Sequence, residues 1–105
     1  MSVLAVLEPG RLVAHTGRLD VTASTEARLV LAAEVDGGEG ELVLDLSRLS
    51  AVDATGLGVL VGAHRRAVRA GRTLVLQDVP PPARRLLLRA RLDRVLRVRG
   101  STAAA

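Results

Sequence analysis

Residues 41–77, "ELVLDLSRLSAVDATGLGVLVGAHRRAVRAGRTLVLQ", predict a strand, a helix and a second strand in succession. The runs at 41–46 and 73–77 are short, mostly apolar and typical of buried strands. Between them, apolar side chains recur at helical intervals as far as Gly71, which closes the helix. A helix between two buried strands indicates a parallel pair joined by a right-handed crossover, and so an α/β domain. We expect residues 47–52 to form the loop that leads into the helix.

The spacing in this helix predicts which side chains face the core. The positions on its apolar stripe are Leu57, Leu60, Val61, His64 and Val68. We interpret His64 as a packed boundary residue, because no neighbouring group could orient it as a base. Gly58 and Gly62 lie on an adjacent face, where we expect them to let the helix approach the sheet closely. The basic residues that we expect on a solvated face are Arg65, Arg66, Arg69 and Arg72.

Upstream, the sequence predicts a hairpin and a helix. Residues 3–7 and 11–16 have the pattern of two short strands, with the turn Glu8-Pro9-Gly10 between them. The helix runs to about residue 35 and ends at Asp36-Gly37-Gly38. The hydroxyl side chains expected to cap its start are those of Thr22, Ser24 and Thr25.

Downstream, the prolines at 80–82 are expected to start a further helix, since proline is tolerated in the first helical turn. The buried stripe of that helix is predicted to be Ala83, Leu86, Leu87 and Ala90, and its outward arginines are Arg84, Arg85 and Arg89. A last strand is predicted at 95–98. The order β-β-α-β-α-β-α-β predicts a single α/β domain over residues 1–99, with a mixed sheet of about five strands covered by helices. Residues 100–105 are expected to be a disordered tail.

Composition excludes several classes of function. The chain has 105 residues, no cysteine, no aromatic residue and two histidines, His15 and His64. Thiol chemistry, iron–sulfur clusters and most structural zinc sites are therefore excluded, and there are no aromatic platforms for stacking single-stranded nucleic acid. We expect no metal, no cofactor and no enzyme activity, because no nucleophile–base pair and no cofactor loop can be assembled.

Charge is distributed unevenly along the chain. Residues 1–60 carry four arginines and nine acids, a balance of −5, whereas residues 61–105 carry eleven arginines and two acids, a balance of +9. All fifteen basic residues are arginine, which indicates a coding preference. Such a preference raises the number of arginines without any functional reason, so nucleic-acid binding through residues 61–105 is only a second alternative. No signal peptide opens the sequence and no run approaches the ~20 apolar residues of a membrane span, so we expect a cytoplasmic protein without a membrane span.

Asp53 lies where a loop enters the helix, and its carboxylate is placed to cap that helix. It could accept hydrogen bonds from the amides of residues 55 and 56 and would face the positive end of the helix dipole. The same amides would suit a phosphate group. Gly56 and Gly58 leave the backbone accessible to another protein. On spacing alone, a helix cap is the simpler interpretation.

Taken together, several motifs in this sequence resemble the STAS domain family, in its anti-sigma factor antagonist type. The motifs are the strand "LVLDLS", the loop-to-helix signature "VDATGLGVL", the helix end "AGR", the strand "TLVL", "PPARRLL" and the terminal "LDRVL". Upstream, Gly17-Arg18-Leu19-Asp20 resembles the Gly-Glu-Leu-Asp that precedes the family's first helix. The resemblance covers residues 3–98. It is specific as a set, although no single motif is.

The resemblance implies a switch rather than an enzyme. Antagonists of this type bind an anti-sigma factor that is itself a serine kinase with a GHKL-type fold, and binding frees the sigma factor. The kinase then phosphorylates the serine directly after the loop aspartate, and the phosphorylated antagonist dissociates. A phosphate adds nearly two negative charges to a close-packed surface, so repulsion and desolvation can separate the partners.

The resemblance assigns the docking residues position by position. The expected partner-binding residues are Asp20, Asp53, Thr55, Gly56, Leu57 and Gly58. Ala54 occupies the phosphoacceptor position and has no oxygen to phosphorylate. We expect Gly56→Glu or Asp53→Ala to weaken partner binding and leave the fold largely intact.

Three explanations for Ala54 remain open. The protein is an antagonist that phosphate cannot switch off, or Thr55 is the substitute acceptor, or the same face binds a partner in a lipid-transport or stress-signalling complex. Moving one residue along a helix rotates the hydroxyl by about 100°, which disfavours Thr55. Two residues depart from the family pattern. Arg18 replaces a glutamate, which bears on how the partner is recognised, and Arg91 replaces a glycine before the terminal "LDRVL", which bears on the local turn.

Overall fold

The computed structural model describes residues 2–100, which form five strands and three α-helices. In chain order the elements are β1 (Val3–Glu8), β2 (Leu12–Leu19), α1 (Ser24–Asp36), β3 (Glu41–Val52), α2 (Ala54–Arg69), β4 (Thr73–Gln77), α3 (Pro81–Arg89), a 3₁₀ turn (Leu92–Arg94) and β5 (Arg97–Arg99). Within the described residues, no helix has both the length and the hydropathy needed to cross a membrane. Of the predicted tail, residues 101–105 lie outside the described part.

The strands form one mixed sheet in the order β1-β2-β3-β4-β5. β1 is antiparallel to β2, and the other neighbouring strands are parallel. Each helix connects two neighbouring parallel strands, and each new strand is added at the same edge of the sheet. Right-handed crossovers therefore place all three helices on one face of the sheet. The core lies between the helices and the sheet. It contains residues of all three helices together with Leu42, Leu44, Leu46, Leu74 and Leu76. The predicted α/β fold and element order are confirmed.

The predicted turns form where the sequence places them. In the β1–β2 hairpin, the Arg11 amide donates to the Glu8 carbonyl over 2.9 Å, and Gly10 adopts a left-handed φ of 71°. Arg91 also takes a left-handed conformation, with φ 58°. The last strand is shorter than predicted and begins at Arg97, because the Val95 and Leu96 amides donate to the Leu92 carbonyl and remain in the turn.

Residues 47–52 are predicted to be a loop, but in the structure they form the second half of β3. They continue the parallel pairing with β2, where Arg18 lies opposite Ala51 and Leu19 opposite Val52. Two register shifts in the β2–β3 ladder interrupt the alternation of side chains, so this half carries no simple apolar period. Asp45 therefore lies inside the strand, not at its end, and its Oδ1 accepts from the Ser47 amide at 2.9 Å.

The face that α2 buries differs from the predicted stripe. Its buried residues are Gly56, Val59, Leu60, Ala63 and Ala67, whereas Val68 is 58% exposed. Three of these five residues are small, so a stripe predicted from large apolar side chains does not detect them. The sequence predicts that Gly58 and Gly62 let the helix approach the sheet. In the structure they are exposed and line a groove beside α1.

Arg72 is not on a solvated face but is the most completely satisfied charged side chain of the fold. It is 5% exposed, and its guanidinium donates to six backbone carbonyls, those of Gly10, Glu34, Val35, Glu39, Gly40 and Glu41. Gly71, which directly precedes Arg72 and has a φ of 72°, turns the chain away from the end of α2. The side chain therefore points into the loops at the end of the sheet.

The start of α1 also differs from the prediction. Ala23 is the N-cap and makes no side-chain capping bond. The Thr22 hydroxyl donates instead to Asp20 over 2.6 Å, and the Ser24 hydroxyl donates to the Val21 carbonyl over 3.0 Å. In α3, the predicted Ala90 is exposed, while Ala83 and Leu87 are buried.

Candidate functional site

The loop between β3 and α2 is short and fixed by Asp53. Asp53 is in the extended region, with φ −115°, and its Oδ1 accepts from the Gly56 amide at 2.8 Å. The Leu57 amide donates to the Asp53 carbonyl over 2.9 Å, which starts the helical pattern. Of the two amides expected to bond the carboxylate, that of Gly56 does so. This cap holds the first turn of α2 at the carboxyl end of β3.

Gly56 is where α2 touches the end of β2. A Cβ added there would lie 2.0 Å from the Leu19 carbonyl oxygen and 2.7 Å from Val52 Cγ2. Neither distance is compatible with a side chain, so only glycine allows this approach. The contact sets the β3–α2 loop beside the β2–α1 loop that carries Asp20. The expectation that Gly56→Glu leaves the fold largely intact is therefore wrong.

Asp20 is held within its own loop by a network of hydrogen bonds. Its Oδ1 accepts from the Thr22 hydroxyl at 2.6 Å and from the Thr22 amide at 3.0 Å, and its Oδ2 accepts from Arg18 Nε at 2.9 Å. The Thr22 hydroxyl, followed by Arg18, lowers the pKa of Asp20 from its ordinary 3.8 to about 2. The Arg18 guanidinium thus forms an ion pair with the Asp20 carboxylate. The sequence shows Arg18 as a departure from the family pattern, but the ion pair is visible only in the structure.

The remaining site residues divide into exposed and packed positions. Ala54 is exposed as the first residue of α2, and Gly58 is exposed one turn later. Thr55 is half-buried, and Leu57 is half-buried against the core. Asp53, Ala54 and Gly58 are therefore available to another molecule, while Gly56 and Leu57 shape the loop.

A small cleft of about 180 Å³ lies beside this loop. It is lined by the end of β3 and the start of α3, with Leu49, Val52, Pro80 and Leu86 among its walls. The sequence does not indicate this cleft, because residues 47–52 are predicted to be a loop. The walls of the cleft are mostly apolar.

Few side chains at the start of α2 carry reactive groups. Thr55 has the one hydroxyl between residues 53 and 58, and the one carboxylate there, that of Asp53, accepts from the Gly56 amide. Among residues 2–100, no group of three or more His, Cys, Asp or Glu side chains is placed to hold a metal ion.

Comparison with known proteins adds to this geometry. A family model described as "Mlab, STAS domain" matches residues 8–98. The anti-sigma F factor antagonist of Paenibacillus polymyxa is 32% identical over 77 residues, which cover 72% of this chain and 66% of that protein.

Two solved structures show the same fold. The Bacillus cell fate determinant SpoIIAA in its phosphorylated form has a TM-score of 0.70 at 20% identity, over 97% of this chain and 92% of that one. A sulfate transporter family protein from Wolinella succinogenes has a TM-score of 0.75 at 21% identity, over 90% of this chain and 80% of that one. At these identities the likeness concerns the fold alone.

Proposed function

The chain belongs to the STAS domain family, and from that premise we propose that it is an anti-sigma factor antagonist that binds a kinase-type anti-sigma factor and so releases a sigma factor. The observation that carries the proposal is the close approach of Gly56 to the Leu19 carbonyl, because the β3–α2 loop with Asp53 and the β2–α1 loop with Asp20 are then neighbours. Ala54 is exposed at the start of α2 on that surface. The curated relative is named as an antagonist and not as an enzyme.

The proposal includes insensitivity to phosphorylation. Ala54 stands at the position where the family resemblance places the acceptor serine, and its methyl group cannot be phosphorylated. Thr55 is half-buried and lies about 100° further around the helix, so its hydroxyl is not presented as Ala54 is. The complex would then be governed by the abundance of the antagonist, and ATP would not dissolve it.

A second candidate is supported by the family match. The matching family model names Mlab. In this alternative the same surface binds a subunit of a lipid-transport or signalling complex. The loop geometry suits both, since neither use needs a phosphorylated residue.

The test is native mass spectrometry of the protein with the kinase-type anti-sigma factors of its own genome, with and without ATP. We expect a complex that persists with ATP and an unmodified intact mass. Ala54→Ser restores a hydroxyl, so this variant should gain one phosphate and leave the complex. Ala54→Arg should abolish the complex because it adds a long charged side chain at the contact. Ala70→Arg, at an exposed alanine just after α2, is the matched control.

The other outcomes decide between the alternatives. One phosphate on the wild type, lost in Thr55→Ala, would mean that Thr55 has become the acceptor. The absence of a complex with every such anti-sigma factor would refute the antagonist proposal and favour the transport or scaffold subunit.

A further inference from the structure

A groove of about 490 Å³ runs between α1 and α2, on the helix side of the sheet. Val59 and Ala63 form part of its floor and are almost fully buried. Gly58 and Gly62 line it from α2, and Leu29, which is 68% exposed, lines it from α1. The groove begins at Gly58, the last residue of the candidate docking loop (residues 53–58), and extends away from that loop. It is apolar inside and open to solvent.

The two glycines in this groove are not required by the packing of the fold. A Cβ at Gly62 would meet nothing within 4 Å, and one at Gly58 would meet only the Arg28 Nη2 atom, at 4.0 Å. Glycine inside a helix is destabilising relative to alanine. Within the described residues nothing approaches α2 closely enough to need them. Their effect is to keep the floor of the groove low, so that another backbone could approach α2 closely.

The rim of the groove is basic. Arg28 lies on one side, and Arg66 and Arg69 lie on the other. Arg66 pairs with Asp36, whereas Arg28 and Arg69 make no ion pair with any residue in 2–100. Two guanidinium groups therefore face an apolar groove without a local counter-charge, and a partner with acids on both flanks would complement them.

We infer that this groove binds an amphipathic helix of a partner protein, with small or aliphatic residues on its buried face and acidic residues on its flanks. From residue 58 to residue 69, α2 rises about 16 Å, which matches a partner helix of about three turns. A symmetric contact with a second copy is disfavoured because it would bring the two arginine rims together. The inference goes beyond the proposed function, since it requires no anti-sigma factor.

The experiment is an NMR titration of the ¹⁵N-labelled full chain with a synthetic peptide. The peptide has about 15 residues, enough for a short helix, with leucine and alanine on one face and glutamate on the other. A scrambled peptide of the same composition has no apolar face. We expect saturable shifts at Leu29, Ala32, Gly58 and Gly62 with the amphipathic peptide, and binding at least tenfold weaker with the scrambled one.

Variants separate the groove from general attraction to arginine. Gly62→Leu fills the floor and should abolish binding; its thermal unfolding temperature should equal or exceed that of the wild type, because the new Cβ meets open space and leucine favours a helix more than glycine does. Arg28→Glu combined with Arg69→Glu should weaken binding at least tenfold. Arg84→Glu combined with Arg85→Glu makes the same charge change on exposed residues outside the groove and should leave the affinity within twofold.

Ala54→Arg, which disables the proposed docking loop, should leave peptide affinity unchanged. This variant distinguishes failure of the groove from failure of the antagonist proposal. Equal binding of the scrambled peptide, shifts centred on α3, or no saturable shift at millimolar peptide would each overturn the inference. Groove shifts with phosphatidylglycerol vesicles and none with the peptide would also overturn it, in favour of a lipid.

Discussion

At Gly56 the first turn of α2 meets the end of β2 with no room for a side chain. Because the nearest atom to a new Cβ is a backbone oxygen at 2.0 Å, Gly56→Ala must displace a strand or the helix. We expect a loss of about 3 kcal/mol or more in the free energy of unfolding. Urea denaturation measures this.

Gly58→Ala is the matched control for that experiment. Its Cβ would lie no closer than 4.0 Å to any atom, so the variant should keep its stability or gain up to about 1 kcal/mol from helix propensity. Equal effects at the two positions would contradict the proposed role of Gly56 in joining the loops.

Asp20 provides a second prediction at this scale, which concerns pH. Its folded pKa of about 2 lies below the ordinary value of 3.8, so its contribution to stability is present above about pH 4 and is lost as the pH falls toward 2. Thr22→Val removes the hydroxyl that lowers the pKa most, and should move the pKa back toward 3.8. Carbon-detected NMR titration of the Asp20 carboxyl group measures it.

Arg18→Ala should shift the same pKa upward by a smaller amount, because the bond from Arg18 is the weaker of the two side-chain effects. If Thr22→Val left the pKa near 2 while Arg18→Ala raised it, the ion pair and not the hydroxyl would control this carboxylate.

At the scale of elements, Arg72 ties together loops that are distant in sequence. Its guanidinium bonds the β1–β2 turn, the end of α1 and the segment before β3. Arg72→Met would leave buried carbonyls unsatisfied, and we expect a loss of about 3 kcal/mol or more in unfolding free energy. Thermal and urea unfolding provide the measurement.

Arg72→Lys should not restore that stability, since an ammonium has three donors on one atom and cannot span the six carbonyls. Arg69→Met, on an exposed arginine of the same segment, is the control and should change the unfolding free energy by less than about 0.5 kcal/mol. A lysine variant as stable as the wild type would show that charge alone, and not the guanidinium geometry, matters there.

α2 serves three surfaces of the molecule at once. Its first turn forms part of the candidate docking loop, its buried residues belong to the core, and Gly58 and Gly62 line the groove beside α1. Ala63 and Ala67 are small members of that core, and larger side chains there would push the helix away from its neighbours.

At the scale of the whole molecule, the fold brings arginines of the basic segment, residues 61–105, next to acids of residues 1–60. Arg66 pairs with Asp36 and Arg99 with Glu41, so arginines of the basic half meet acids of the other half. Both pairs are exposed and contribute little to stability. The docking loop and the groove both lie at α2, on the helix-covered side of the sheet, so one partner or two could engage that side.

The sequence by itself determined the α/β class, the order of the elements and the extent of β4, because apolar period and turn residues are local signals. It also located the start of α2, since an aspartate cap is recognisable without its surroundings. Only the tertiary structure decided which face α2 buries, that residues 47–52 extend β3, and that Arg72 is buried. Each of these depends on atoms far away in the chain: the Leu19 carbonyl, the β2 ladder, and six carbonyls of the β1–β2 turn, the end of α1 and residues 39–41. Local periodicity contains no information about such contacts.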